Sequence, residues 1–417
     1  MTAATLSVLP YGRHAIDEDD IAAVAAALRG DWLTTGPIVR TFEAALARRT
    51  AAGHAVSCTN GTAALHLACL AADLGPGDAA IVPAITFAAT ANAARLVGGE
   101  VVFADVDADT GLMTAPHLEA AIAQAIDRGL RPKMVLPVHL GGQCVDMAAI
   151  SEVARAHELA ITEDACHAIG TVIRNDGGSE IPVGACAHGD MAIFSFHPVK
   201  TITCGEGGAI TTQSDALAER LRRLRGHGIV RDESLFEDRV EAFEQAVVNP
   251  WYYEMIELGL NYRLSDINCA LALSQLQKLD RFVVIRRALT ALYDARLATL
   301  APVLRRAALP PGIIPAWHLY SVLIDFEAAE ITRGQFMRAL ETAGIRTQVH
   351  YIPVPRHPYY RRRYGDAALP GADAYYRRTL SLPLYVGMTG TDVERVADAF
   401  EGLLPRRAVQ HPRRRAS

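Results

Sequence analysis

GDMAIFSFHPVKTITCGEGGAIT, residues 189–211, holds a short apolar run ending at Phe196, a lysine at Lys200 and glycines at Gly205, Gly207 and Gly208. The run has the length of a buried strand, and the glycines permit close backbone approach beyond it. Lysine is scarce here: only three of the 41 basic residues are lysines, Lys133, Lys200 and Lys278. In a lysine-rich chain Lys200 would read as one more solubilising charge. Set in a turn with Ser195, His197 and glycines, it is instead a candidate nucleophile. A lysine held in such a place loses its proton readily and can form a Schiff base with an aldehyde.

Working outward, six further short apolar runs alternate with helix-like segments: residues 55–58, 80–84, 101–105, 134–138, 159–163 and 208–211. With 191–196 they predict strands of a largely parallel sheet covered on both faces, an α/β domain extending to about residue 282. Before it, Asp17, Glu18, Asp19 and Asp20 precede Ile21, Val24, Ala25 and Leu28 at helical spacing, and Gly30 ends the run. After it, a long helix is expected from Ser265 to about Leu297. Strands over 318–326 and 347–351, with helices near 333–343 and 391–404, make a smaller C-terminal α+β domain. The expected organisation is an N-terminal arm (1–12), a large α/β domain (13–282), a small domain (283–404) and a basic tail (405–417) with five arginines and no acid.

Three other stretches carry chemistry. In EDACHAIG (163–170), Asp164 follows an apolar strand, where α/β folds place ligand contacts; the alternative is that it caps the next helix. A carboxylate there and a lysine on a neighbouring strand are the pair that pyridoxal phosphate needs, because the acid keeps its ring nitrogen protonated. In SCTNGTAAL (57–65), a strand, a tight turn and a helix start converge free N–H groups on one spot, which suits a phosphate or an ordinary capped helix. No lysine follows the glycine, so it is not a P-loop. In PAITFAAT (83–90), Phe87 is either core or a platform for a flat ring.

The set NGTAALHLA, PAITFAATANAA, EDACHAIG, FSFHPVKTITCGEGG and LNYRLSDINCALALSQLQKLD resembles the DegT/DnrJ/EryC/StrS family of sugar aminotransferases, in order from about residue 10 to residue 400. The resemblance implies an aspartate-aminotransferase-like, fold type I enzyme dependent on pyridoxal phosphate, with a mostly parallel central sheet and a smaller C-terminal α+β domain. It implies Lys200 as covalent anchor and proton carrier, Asp164 at the pyridine nitrogen, His167 near the ring oxygen and Phe87 on the ring. Thr62, Ala63 and Ser195 would hold the phosphate. Asn261 would reach the phosphate of a partner subunit, making an obligate homodimer with shared active sites. Read without the family, NYRLSD is the capped start of a helix, with Ser265 as cap. Segments 195–209, 251–280 and 346–360 are similar to the branch of the family in pseudaminic acid biosynthesis. That branch moves the amino group of L-glutamate to C4 of a UDP-linked 4-keto-6-deoxy-N-acetylhexosamine. Tyr11, His350 and Tyr351 are its candidate sugar-nucleotide contacts. The alternative is amination, at C4 or C3, of another UDP- or dTDP-linked keto-sugar such as a bacillosamine-type substrate. A dehydratase on the same scaffold would carry histidine in place of Lys200.

Composition narrows the rest. The 41 basic residues against 46 acidic give a net charge of −5, without the electrostatic footprint of a nucleic-acid binder. No apolar run approaches the ~18 residues of a membrane span, and the N-terminus lacks the pattern of a signal peptide, so a cytoplasmic enzyme is expected. Seven irregularly spaced cysteines with no C-x-x-C pair point to neither disulfides nor a metal site.

Overall fold

All seven short apolar runs are strands of one sheet: β1 (His54–Cys58), β2 (Asp78–Pro83), β3 (Glu100–Ala104), β4 (Arg131–Val135), β5 (Ala160–Asp164), β6 (Met191–Ser195) and β7 (Gly208–Thr212). The computed structural model describes residues 7–175 and 177–404, so the basic tail over 405–417 lies outside them, as do residues 1–6 of the arm. The strand order is β1-β7-β6-β5-β4-β2-β3. Only β7 runs against its neighbours, β1 and β6. The remaining adjacent pairs are parallel. The strands are almost wholly buried, which is why their sequences read as unbroken apolar runs rather than alternating ones.

Helices cover the sheet. Among them are α1 (Glu18–Arg29), α2 (Pro37–Thr50) and, at the site, α3 (Gly61–Ala71) and α4 (Ala88–Leu96). The apolar helix α3 buries Ala63, Ala64, Leu65, Leu67 and Ala68, as expected of a helix without a polar face. Helix α1 is tied down by a buried carboxylate: Asp20 accepts from Ser274 Oγ at 2.6 Å and Gln275 Nε2 at 2.7 Å.

Parallel pairing of β5 with β6 puts Asp164 and Ser195 at the same edge, and the register Cys58↔Gly208 brings the end of β1 there too. The loop between β6 and β7, with Lys200, lies over that carboxyl edge, as does the start of α3. The approach is tight. A Cβ on Gly208 would stand 2.4 Å from the backbone C and O of Asn60.

A second sheet is antiparallel: β8 (Leu304–Arg306), β9 (Tyr320–Ile324) and β10 (Thr379–Leu382). Helices Arg333–Thr342 and Gly390–Leu403 pack on it through Phe336, Leu340, Val393 and Phe400. The arm crosses this part of the molecule: Leu9 exchanges backbone hydrogen bonds with Gly344 and Arg346, and Tyr11 O accepts from Leu384 N–H.

Two expectations change. The helix expected over 265–297 is two, Asp266–Gln277 and Leu279–Leu297, meeting at Lys278. The N–H of Lys278 closes a tight turn on Gln275 O, and its ammonium pairs with Asp17 and Asp20. Ser265 does cap the first of the two, accepting from Asn268 N–H at 3.1 Å. The strand expected over 347–351 is a single bridge, Gln348↔Ser381. Beyond it the His350 side chain stays on Ser381 Oγ of β10, while the Tyr351 hydroxyl turns to His167, so the chain heads for the cleft instead of continuing the ladder.

Gly208→Ala therefore forces backbone apart and is expected to destabilise by about 1–3 kcal/mol, read from urea denaturation. Gly402→Ala, where an added methyl meets nothing within 4 Å, should leave the midpoint unchanged or slightly higher. Equal midpoints for the two variants would contradict the close approach.

Candidate active site

A cleft of about 660 Å³ opens at the carboxyl edge of the sheet and is closed on the far side by segment 348–352. Asp164 lies in its wall as the last residue of β5, 6% exposed. Turns rather than a helix follow it, so it is not a helix cap. Thr90 Oγ1 donates to its Oδ2 at 2.7 Å, and Cys166 N–H to its Oδ1 at 3.2 Å. A carboxylate only accepts, so the Thr90 hydrogen is committed and Thr86, 2.8 Å away, donates to Thr90. Asp164 is thus oriented from two sides. Its neighbour Glu163 faces away and meets buried His139 at 2.9 Å.

At the start of α3, Asn60 Oδ1 accepts from Ala63 N–H at 2.8 Å and Asn60 O from Ala64 N–H at 3.1 Å. Gly61 N–H, Thr62 N–H and the Thr62 hydroxyl have no acceptor among the described residues, and Thr62 is exposed in the cleft. Ser195 stands opposite: a Cβ on Gly61 would come within 3.0 Å of Ser195 Cβ. Two free N–H groups, a helix N-terminus and hydroxyls from both sides form a cradle for a doubly charged anion. Phe87, at the start of α4, is 59% exposed and 6.0 Å from the ring of Tyr351. It is therefore not core, and one face is left for a flat partner.

Lys200 follows a turn closed by its N–H on His197 O at 2.8 Å. Burial pushes its ammonium below the ordinary lysine value, while Cys166 and Asp164 pull the other way. Three imidazoles share the space. Burial holds His167 and His318 well below their usual range and His350 at about 3, each with the charge of Lys200 as a further cause. The His167 ring lies 4.4 Å from that of His318. Tyr11 reaches the cleft wall, 5.6 Å from His350.

Of the residues expected at the site, Lys200, Asp164, His167, Phe87, Thr62, Ser195, Tyr11, His350 and Tyr351 all line this cleft. Ala63 is buried behind it, its N–H taken by Asn60. Asn261 is exposed outside it, bridged to Gly226. Sequence reading missed Thr90, one helical turn beyond Phe87. It also missed His318, which was taken only as the head of a strand and donates its N–H to Gly141 O at 2.9 Å.

The sequence pattern of the DegT/DnrJ/EryC1/StrS aminotransferase family matches residues 14–401. Among solved structures, the chain is similar to Helicobacter pylori PseC, an aminotransferase involved in the biosynthesis of pseudoaminic acid, at 26% identity and TM-score 0.84, covering 95% of this chain and 99% of that one. The putative sugar aminotransferase Spr1654 of Streptococcus pneumoniae in its PLP form gives 26% identity and TM-score 0.82, over 95% and 98%. DesV of S. venezuelae gives 31% identity and TM-score 0.81, over 95% and 98%. The cofactor of this enzyme class is pyridoxal phosphate, and the residues present fit it. The cradle suits the phosphate, the oriented carboxylate a pyridinium nitrogen, the exposed Phe87 a ring face and the desolvated amine of Lys200 an aldehyde.

Neutral buried imidazoles also set a pH dependence. Their folded pKa values lie below the unfolded value of about 6.5, so their contribution is present above that pH and lost as pH falls. Urea midpoints should therefore decline from about pH 6.5 downward. His350→Gln, which keeps a partner for Ser381 but cannot titrate, should flatten the decline. An unchanged slope would contradict this electrostatic account.

Proposed function

Because the chain belongs to the DegT/DnrJ/EryC1/StrS aminotransferase family, whose enzymes depend on pyridoxal phosphate, we propose that it moves the amino group of L-glutamate to the C4 keto group of a UDP-linked 4-keto-6-deoxy-N-acetylhexosamine. The product is UDP-4-amino-4,6-dideoxy-N-acetyl-β-L-altrosamine, of the pseudaminic acid pathway. One observation carries the chemistry: the desolvated amine of Lys200 shares a cleft with the oriented carboxylate of Asp164 and the cradle at Gly61 and Thr62. The choice of sugar is supported by the likeness to PseC along nearly the whole chain and by segment 346–360, part of which lines the cleft. Spr1654, a putative sugar aminotransferase at the same 26% identity, keeps amination of another UDP- or dTDP-linked keto-sugar as the second reading.

When bound, pyridoxal phosphate supplies an aldehyde that an amine can capture and a ring that draws electrons from the adjacent carbon. In this reading Lys200 is its covalent anchor, Asp164 holds the ring nitrogen protonated and Phe87 covers one ring face. Thr62, Gly61 and Ser195 hold the phosphate, and Ala63 serves the cradle only by anchoring Asn60. As a free amine, Lys200 Nζ would take the proton from the donor's α-carbon and, in the second half, would deliver one to C4 of the sugar. A lysine in water is protonated almost entirely at pH 7; the burial that lowers its pKa favours the free base.

The assembly belongs to the proposal as well. Trp32, Leu33, Trp251 and Leu258 are large apolar side chains left exposed, and Asn261 lies close to the last two in sequence. A second copy covering them would carry each Asn261 toward the other's phosphate cradle. No helix among the described residues is long and apolar enough to cross a membrane, which accords with a cytoplasmic place of action.

Lys200→Ala should keep the fold, by circular dichroism, and lose turnover altogether; full activity would sink the mechanism. For the wild type, L-glutamate should release 2-oxoglutarate in one stoichiometric burst. Among candidate products, the UDP-altrosamine amine should bleach the visible band of the protein, while bleaching by the glucosamine-type epimer alone would move the enzyme to a bacillosamine-type substrate.

A further inference from the structure

The imidazole of His167 is gripped at both nitrogens by groups outside its own segment. Gly141 N–H donates to Nδ1 at 3.2 Å, and the Tyr351 hydroxyl lies 3.2 Å from Nε2. A backbone N–H can only donate, so Nδ1 is the acceptor, and an uncharged ring then carries its proton on Nε2. Nε2–H points at the Tyr351 oxygen, and the hydrogen of the tyrosine is directed elsewhere.

The surroundings reinforce the grip. Gly141 and Gly142 have φ of +71° and +98°. A Cβ on Gly142 would stand 3.0 Å from the N atoms of Trp317 and His318 and 3.2 Å from His167 O, so the turn that presents the Gly141 N–H packs only without a side chain. His318 backs the ring at 4.4 Å, and buried Arg286 holds the His318 and Trp317 carbonyls at 3.3 Å. Tyr351 sits between two rings, 6.1 Å from His167 at an interplanar angle of 28° and 6.0 Å from Phe87. The titratable groups that line the same cleft are Lys200, Asp164, Cys166, Glu206, His197, His318, His350, His357, Tyr11 and Tyr351 itself. Burial and the charge of Lys200 keep His167 from gaining a second proton.

We infer that Tyr351 is a positioning residue rather than a sugar contact: Gly141 N–H sets the tautomer of His167, and Tyr351, by accepting from Nε2–H, sets the angle at which the ring faces the cleft. The inference rests on the reading of this cleft as the pyridoxal phosphate site. With both nitrogens taken within the chain, the ring is presented to the cleft at one fixed angle, so that a flat cofactor meets a preset wall rather than a mobile one.

The test is Tyr351→Phe, which keeps the ring and removes the hydroxyl. Nitrogen-15 spectra of histidine-labelled full-length protein, with His167 assigned through His167→Gln, should show a single Nε2-protonated tautomer in the wild type before pyridoxal phosphate is added. In Tyr351→Phe the ring should keep that tautomer, because Gly141 still occupies Nδ1, but its Nε2 signal should shift and broaden as the N–H loses its acceptor, with the affinity for pyridoxal phosphate down about tenfold, as for one lost hydrogen bond, and the fold kept by circular dichroism. Unchanged His167 signals would overturn the inference, whether or not KM for the sugar rises, since a raised KM alone is the mark of a sugar contact. The spectra need no cofactor, so failure of the wild type to bind pyridoxal phosphate would count against the proposed function and leave this test standing.

Discussion

Gly208 presses against the backbone of Asn60 so closely that a single methyl group would not fit between them. That contact follows from the one reversed strand in the sheet. Were β7 parallel like the rest, the chain after Ser195 would have to cross over the sheet before returning. Because it folds straight back, the loop with Lys200 stays above the carboxyl edge, facing the start of α3 on one side and the end of β5 on the other. The cradle, the carboxylate and the amine come from three strands, and this return brings them within one cleft.

The electrostatics of the cleft follow from what surrounds that amine. Burial makes the charged form of Lys200 costly, and the same burial, with whatever charge Lys200 carries, keeps His167, His318 and His350 neutral. Such rings can donate or accept single hydrogen bonds without competing for the proton that the lysine must move. The one carboxylate fixed in the wall, Asp164, is held by Thr90 and Cys166 N–H rather than by an ion pair, so its charge stays available to a ligand.

Much of this was legible in the sequence because the strands are buried on both faces and the site lies where each one ends. Strand ends marked Asp164 and the turn before Thr62 as candidates, the family resemblance gave Thr62 and Ser195 their roles, and the scarcity of lysine singled out Lys200. Features fixed by distant partners were not legible. The turn at Lys278 depends on two aspartates of α1, some 260 residues away in sequence. The expected strand at 347–351 fails because Tyr351 finds its side-chain partner, His167, across the cleft. Ala63 looked like a phosphate donor because nothing in the sequence says that Asn60 will take its N–H. His318 was hidden by the strand that begins just after it.

The central claim is that Lys200, alone among three lysines, meets the cofactor. Incubation with pyridoxal phosphate, reduction with borohydride and peptide mass mapping tests it directly, since the chain offers only Lys133 and Lys278 as other lysine side chains. The account predicts one pyridoxyl group per chain, on the peptide holding Lys200. Labelling of Lys133 or Lys278 in its place, or no labelling of any lysine, would contradict it.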